Sequence, residues 1–180
     1  MIFWKEKWNN WKEDWSEHAP SLDQTRIVEY LKPISGKNIL HIGTGNSSFA
    51  IELSHNSVDS ITVLQTEIDK AIKVKQQYNL VNYNFWLCNK YTLQLLDLEH
   101  KYHYIADNNI FSFTSCEICR HNILFAYLKL LQPKGEIVTD VLGLDYRTGF
   151  TVDKLQEYIV DHDIPLTINK YNEYVIGLQA

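Results

Sequence analysis

The stretch ILHIGTGNSS, residues 39–48, sets a short apolar run against two glycines, Gly43 and Gly45, and a polar triplet. An apolar run this short, closed by G-x-G, reads as a buried strand over 38–44 that turns sharply into a helix over 46–54. Glycine permits the tight turn and lets a ligand come close to the main chain. The free amides that open the next helix favour a negative group such as a carboxylate. Glu67 stands 24 residues beyond Gly43, at the end of the next apolar run, 60–66. An acid there can accept two hydrogen bonds from the hydroxyls of a ribose.

Outward from this turn the chain alternates. A helix over 22–32 opens with Ser21 and Gln24 at capping-box spacing and stops at Pro33. Past the strand over 60–66, helical spacing over 68–79 precedes a strand over 83–89, a weak helix over 91–99 and a strand over 102–108. A long helix over about 115–131 then leads through PKG into a strand over 136–142, and a helix over 151–162 follows. The tail, 166–179, reads as two strands around a tight turn at Tyr171 and Asn172. Strands alternating with helices predict an α/β fold with an open, mostly parallel, doubly wound sheet, and the short final turn makes the last pair an antiparallel hairpin. Residues 21–180 form one domain in this reading.

Ahead of it, FWKEKWNNWKEDW (residues 3–15) holds four of the five tryptophans. On a helix, Trp4, Trp8, Trp11 and Trp15 fall within an arc of roughly 60°. Residues 1–20 are therefore expected to be an appended amphipathic helix, either packed permanently as a cap or closing as a lid over a ligand.

Hydrophobic residues make up 45% of the 180, aromatics 13% and charged residues 22%, which excludes disorder. The net charge of −5 and the lack of a basic run argue against a nucleic-acid partner. No apolar run reaches the length of a membrane span, so no membrane partner is expected. Three cysteines suit a reducing compartment, and only MIF precedes the charged leader, so a cytoplasmic location is the expectation. Cys116 and Cys119, a lone C-x-x-C within a predicted helix, read as packed thiols, and the scattered histidines give no metal site.

In NILHIGTGNSS (38–48), the acid Glu67, YIADNN (104–109) and LKLLQPKGEIVTD (128–140), the sequence resembles the class I S-adenosylmethionine-dependent methyltransferases. The resemblance covers roughly residue 22 to the end. It implies a Rossmann-like sheet of order 3-2-1-4-5-7-6 and S-adenosylmethionine as cofactor. Gly43, Thr44 and Gly45, with Asn46 and Ser47, match the glycine turn that cradles the cofactor's methionine part, Glu67 the ribose acid, and Asn89 the position near adenine. Asp107 and Asn108 match the methyl-transfer face after the fourth strand, so both are the candidate catalytic residues and Asp107 also a cofactor contact. Two positions depart from the pattern. His41 stands where the family has an acid two residues before the first glycine, and Ser47 stands at its third glycine.

Asp69 is an alternate for the ribose acid, and Asp140 and Asp145 follow the fifth strand toward the same crevice. The implied activity is methyl transfer to a nucleophilic oxygen or nitrogen of a small molecule. DNNIF (107–111) lacks the paired prolines of the members that methylate nucleic-acid bases, and no inserted domain is left to grip a large substrate. The rival from another class is a catalytically silent member of the fold that binds a nucleoside ligand or a partner protein. A nicotinamide-binding protein would share the turn and Glu67 but not the hairpin. A homodimer is compatible with the sequence.

Overall fold

The computed structural model describes residues 11–98, 100–113 and 117–180. Seven strands form one sheet of order β3-β2-β1-β4-β5-β7-β6, the order that the resemblance implies. Elements run α1 (Leu22–Leu31), β1 (Asn38–Ile42), α2 (Ser48–Glu52), β2 (Ser57–Thr62), α3 (Gln65–Gln77), β3 (Tyr83–Leu87) and a 3-10 turn (Leu93–Asp97), which replaces the weak helix. They continue with β4 (Tyr102–Ala106), α4 (Glu117–Leu130), β5 (Leu131–Asp140), α5 (Val141–Asp145), α6 (Val152–Asp161), β6 (Thr167–Lys170) and β7 (Val175–Gln179).

The reason β1 is mostly apolar, His41 apart, is its place. It pairs in parallel with β2 on one edge and β4 on the other, and helical layers bury both of its faces. Ile39 turns to the layer made by α1, α2 and α3, where it packs among Ile27, Phe49 and Val74. Leu40 and Ile42 turn to the layer of α4 and α6, among Leu124, Tyr127 and Ile159. β5 pairs antiparallel with β7, which pairs antiparallel with β6, confirming the terminal hairpin.

Three differences from the sequence reading stand out. β2 is Ser57–Thr62, three residues earlier than expected at its start, because its register is set by β1, with Asn38 opposite Ser57. Its polar Asp59 is buried and accepts from Tyr102, Asn84 and His100, which hides the strand in an apolar-pattern scan. Glu67 therefore lies in the first turn of α3 and not at a strand end. β5 begins at Leu131, straight out of α4, and reaches its main register after a shift between Tyr102 and Tyr104 on its partner, where Lys134 takes φ 65°. The third difference is the leader: residues 11–20 carry no helix. Trp4 and Trp8 lie outside the described residues. At α1 the expected capping box is also absent, since Ser21 is the N-cap but its side chain makes no cap bond.

α5, which the sequence reading did not separate from β5, docks directly on the loop after β4. A Cβ at Gly143 would overlap the Asn108 carbonyl oxygen. Gly143→Ala must lift α5 off that loop, and overpacking of this kind costs about 1–3 kcal/mol. Urea unfolding should show a lower midpoint with an unchanged slope.

Candidate functional site

At the carboxyl ends of β1, β4 and β5 lies a cavity of about 370 Å³. This is the place where the strand order reverses direction about β1 and β4 and where open α/β sheets take ligands. Of the residues singled out from sequence, Gly43, Gly45, Asn46, Glu67 and Asn108 line it. His41, Thr44, Ser47, Asn89 and Asp107 sit behind or beside it.

The glycine turn has the backbone the sequence demands. Gly43 takes φ +99° and Gly45 φ +51°. A Cβ at Gly43 would meet nothing within 4 Å, so the space over it is open. Ser47, at the third glycine position, is held at φ 66°, a left-handed conformation unfavourable to a residue with a Cβ. Its hydroxyl is 2.9 Å from the Tyr83 hydroxyl, a buried bond that glycine could not make. Thr44 is buried with its hydroxyl unpartnered among the described residues. The amides expected to receive an anion are largely engaged: Gly45 N–H donates to Glu67, Ser47 N–H to the Thr44 carbonyl and Ser48 N–H to Asn46 Oδ1.

Glu67 is only 2% exposed. Its Oε2 accepts from the Gly45 amide at 3.0 Å and the Thr62 hydroxyl at 2.6 Å, and its Oε1 accepts from the Trp15 amide at 3.1 Å. That last bond explains why the leader is not helical here. Residues 11–20 form a strap tied to tertiary partners by backbone and side chain: the His18 carbonyl accepts from Asn46 Nδ2 at 2.7 Å, and the Glu17 side chain pairs with Lys70 at 3.0 Å. Trp11 is buried and stacks on Phe113, ring centroids 6.1 Å apart, while Trp15 is 41% exposed. The two indoles do not share one covered face.

Asp107 is fully buried beneath the cavity. It forms an ion pair with Lys90 at 2.9 Å and accepts from the Tyr127 hydroxyl at 2.7 Å and the Asn109 amide at 3.2 Å. Lys90 also donates to the Asn109 carbonyl at 3.0 Å. Burial holds the Lys90 ammonium below its usual range, with Asp107 opposing, and raises the Tyr127 phenol well above its own. Asn108 instead faces the cavity and donates to Asp23 at 2.7 Å. Asp140 caps α5 through the Leu142 and Gly143 amides and pairs with Arg26 at 3.3 Å. Asp145 is exposed, and so is Asp69, which bonds Gln65 along α3. Asn89 caps the turn after β3 by accepting from the Tyr91 amide at 3.0 Å.

His41 is a core residue on the far side of the turn. It is 3% exposed and stacks flat on Phe49, centroids 3.9 Å apart, and burial pushes its imidazole down to about 3. Cys119 is buried, and Cys116 lies outside the described residues. Among the described residues no cluster of three metal-ligating side chains occurs, and no helix is long and apolar enough to cross a membrane. Sequence reasoning missed Asp23, Arg26 and Lys90. Lys90 adjoins Asn89, and Asp23 was hidden inside a capping signal.

No family model matches the sequence, and no curated protein does. Solved structures are similar. The N-methyltransferase NodS from Bradyrhizobium japonicum WM9, in complex with S-adenosyl-L-homocysteine, superposes with a TM-score of 0.64 at 14% identity, over 87% of this chain and 84% of that one. A SAM-dependent methyltransferase from Aquifex aeolicus gives 0.61 at 15% identity, over 88% of each chain. An O-methyltransferase family protein from Burkholderia thailandensis gives 0.63 at 10% identity, over 87% of this chain and 55% of that one. The chain has the class I methyltransferase fold.

Two outcomes follow from this geometry. His41 titrates near 6.5 when unfolded and near 3 when folded, so below pH 6.5 the unfolded chain binds a proton that the native state refuses. Its contribution is complete above that pH and is lost as the pH falls toward 3, at about 1.4 kcal/mol per pH unit. His41→Gln should flatten the acid limb of a denaturation-midpoint profile relative to wild type. Glu67→Gln removes one of the acceptors that hold the strap and turns an amide toward the donors that remain. Trypsin should then cleave after the exposed Lys12 several-fold faster than in wild type, read by mass spectrometry.

Proposed function

We propose that the protein is an S-adenosylmethionine-dependent methyltransferase acting on a small molecule at a nucleophilic nitrogen or oxygen. The observation that carries the reading is the turn at the end of β1: a left-handed glycine pair with open space above Gly43, facing a cavity at the switch point of a 3-2-1-4-5-7-6 sheet. S-adenosylmethionine supplies an electrophilic methyl group on a sulfonium centre.

The residues present fit such a ligand. The space over Gly43 admits it, the unpartnered Thr44 hydroxyl lies within the turn, and Glu67 offers a carboxylate to ribose hydroxyls. Among the described residues Oε1 of Glu67 accepts a single hydrogen bond, and it keeps acceptor capacity. With Glu67 almost fully buried, that contact requires the strap to shift at Trp15. Arg26 lines the cavity and pairs with Asp140 through Nη1, and its remaining donors can be shared with the carboxylate end. With the turn's amides engaged internally, this guanidinium takes the role that the sequence reading gave them.

In-line methyl transfer depends mainly on holding nucleophile and methyl group in register, so positioning and exclusion of water are the protein's tasks. The strap roofs the cavity with Trp11 and Trp15, and Asn108 presents a side-chain amide at the face after β4. Asp107 contributes by fixing Lys90 and the Asn109 backbone, which set the floor.

Isothermal titration calorimetry with S-adenosylmethionine and S-adenosylhomocysteine should show one site per chain. Gly43→Ala puts a methyl group into the open space and should lower the affinity at least tenfold while the protein stays folded by circular dichroism. A wild-type chain that ignores both compounds would sink the proposal and leave the silent, partner-binding form of the fold as the better reading.

A further inference from the structure

We infer that the methyl acceptor is an amine carried on an apolar or aromatic body, with Asp23 as the carboxylate that receives its ammonium group. The inference rests on the proposed methyltransferase reading and concerns the half of the cavity that the glycine turn does not occupy.

The charges lining the cavity are unevenly compensated. Its two cations are already matched: Lys90 sits 2.9 Å from Asp107, and Arg26 lies 3.3 Å from Asp140 with its guanidinium 3.9 Å over the Tyr174 ring. Of its acids, Glu13 is paired with Arg147 at 2.9 Å. Asp23 and Glu67 have no cationic partner among the described residues, and their hydrogen bonds come from neutral donors. Glu67 is bonded to the glycine turn through the Gly45 amide. Asp23 belongs to the opposite side. Its Oδ2 accepts from Asn108, just past β4, and lies against Gly143, just past β5. Its Oδ1 accepts from the Gln24 amide at 3.1 Å. Each oxygen keeps acceptor capacity, and the residue is only partly covered.

The cavity that this carboxylate lines is walled in part by apolar and aromatic side chains, Trp11, Phe113, Leu142 and Tyr146 among them. Indole and phenyl faces attract a cation, and a carboxylate beside low-dielectric walls does so more strongly than one in water. An alcohol gains only a hydrogen bond to a charged acceptor, without the attraction between opposite charges, and a carboxylate is repelled.

The chemistry balances. The bound ammonium gives up one proton, through Asp23 to solvent, and its nitrogen regains a lone pair. That pair forms the N–CH3 bond while the S–CH3 bond breaks and leaves its electrons on sulfur. The product is again an ammonium ion, so no further base is needed. Asn108 acts as a positioning residue by orienting the Asp23 carboxylate.

Calorimetry on the full chain loaded with S-adenosylhomocysteine tests this with phenethylamine, tryptamine and cyclohexylmethylamine, each against the alcohol of the same skeleton. At least one amine should bind about tenfold or more tightly than its alcohol, as a charge-assisted hydrogen bond demands. Asp23→Asn should erase that preference and Asp23→Glu should keep it, with S-adenosylhomocysteine affinity unchanged in both. Equal binding of amines and alcohols, no amine binding, or a preference that survives Asp23→Asn overturns the inference. So does loss of S-adenosylhomocysteine affinity in Asp23→Asn, which would assign that carboxylate to the cofactor. Failure of the wild type to bind S-adenosylhomocysteine strikes the methyltransferase reading itself.

Discussion

The Glu67 carboxylate is the point at which three separate segments of the chain are tied together. One oxygen takes the glycine-turn amide of Gly45 and the hydroxyl of Thr62, the last residue of β2; the other takes the amide of Trp15 in the strap. A buried carboxylate is tolerated only when its lone pairs are met, and here the donors that meet it are the ones that shape the site. The turn after β1, the exit from β2 and the path of residues 11–20 are thereby coupled. A ligand that draws on Glu67 must take a share of hydrogen bonding that the strap now holds.

A second buried carboxylate organises the other half of the crevice. Asp107 and Lys90 neutralise one another, and Tyr127 and the Asn109 amide satisfy the remaining oxygen capacity. Such a pair adds little net stability compared with apolar residues of the same volume, but neither member can be removed alone without stranding a buried charge. Its effect is geometric. It pins the loop that leaves β4 to the segment after β3, and so fixes where Asn108 emerges. Gly143 completes the arrangement, since only glycine lets α5 approach the Asn108 carbonyl.

Most of the fold was legible because it rests on short-range signals. The apolar run and glycines of 39–45 mark the central strand and its turn, and Tyr171 and Asn172 mark the terminal hairpin. The errors arise where tertiary partners decide. Glu67 looked like the end of a strand because the residues before it are apolar, but β2 stops at Thr62, where its ladder with β1 and β3 ends. The indole spacing of 4, 8, 11 and 15 is helical, and that periodicity is all that supports the reading. The structure shows no helix over residues 11–15 and gives the Trp15 amide to Glu67, a donor–acceptor match that no periodicity reveals. His41 and Ser47 departed from the family pattern for reasons visible only in space: one ring stacks on Phe49, and one hydroxyl meets Tyr83. Asp23 was read as part of a helix start, and nothing in its local sequence brings it to Asn108, 85 residues away.

The absorption of Asp107 into structure bears on what the site can do. A hydrolase that lost its general base to a buried ion pair would be disabled, because its nucleophile must be deprotonated in the transition state. Displacement at a methyl group makes a smaller demand. When the attacking atom already carries a free pair, alignment and a dry enclosure provide most of the advantage. The requirements then fall on the turn that holds the donor, the strap that roofs the cavity, and the surface after β4 that aims the acceptor. The first two are held by neutral donors converging on Glu67, and the third by the Asp107–Lys90 ion pair. On the proposed reading, a protein that keeps these three parts and commits Asp107 to its framework has lost no element that the reaction needs.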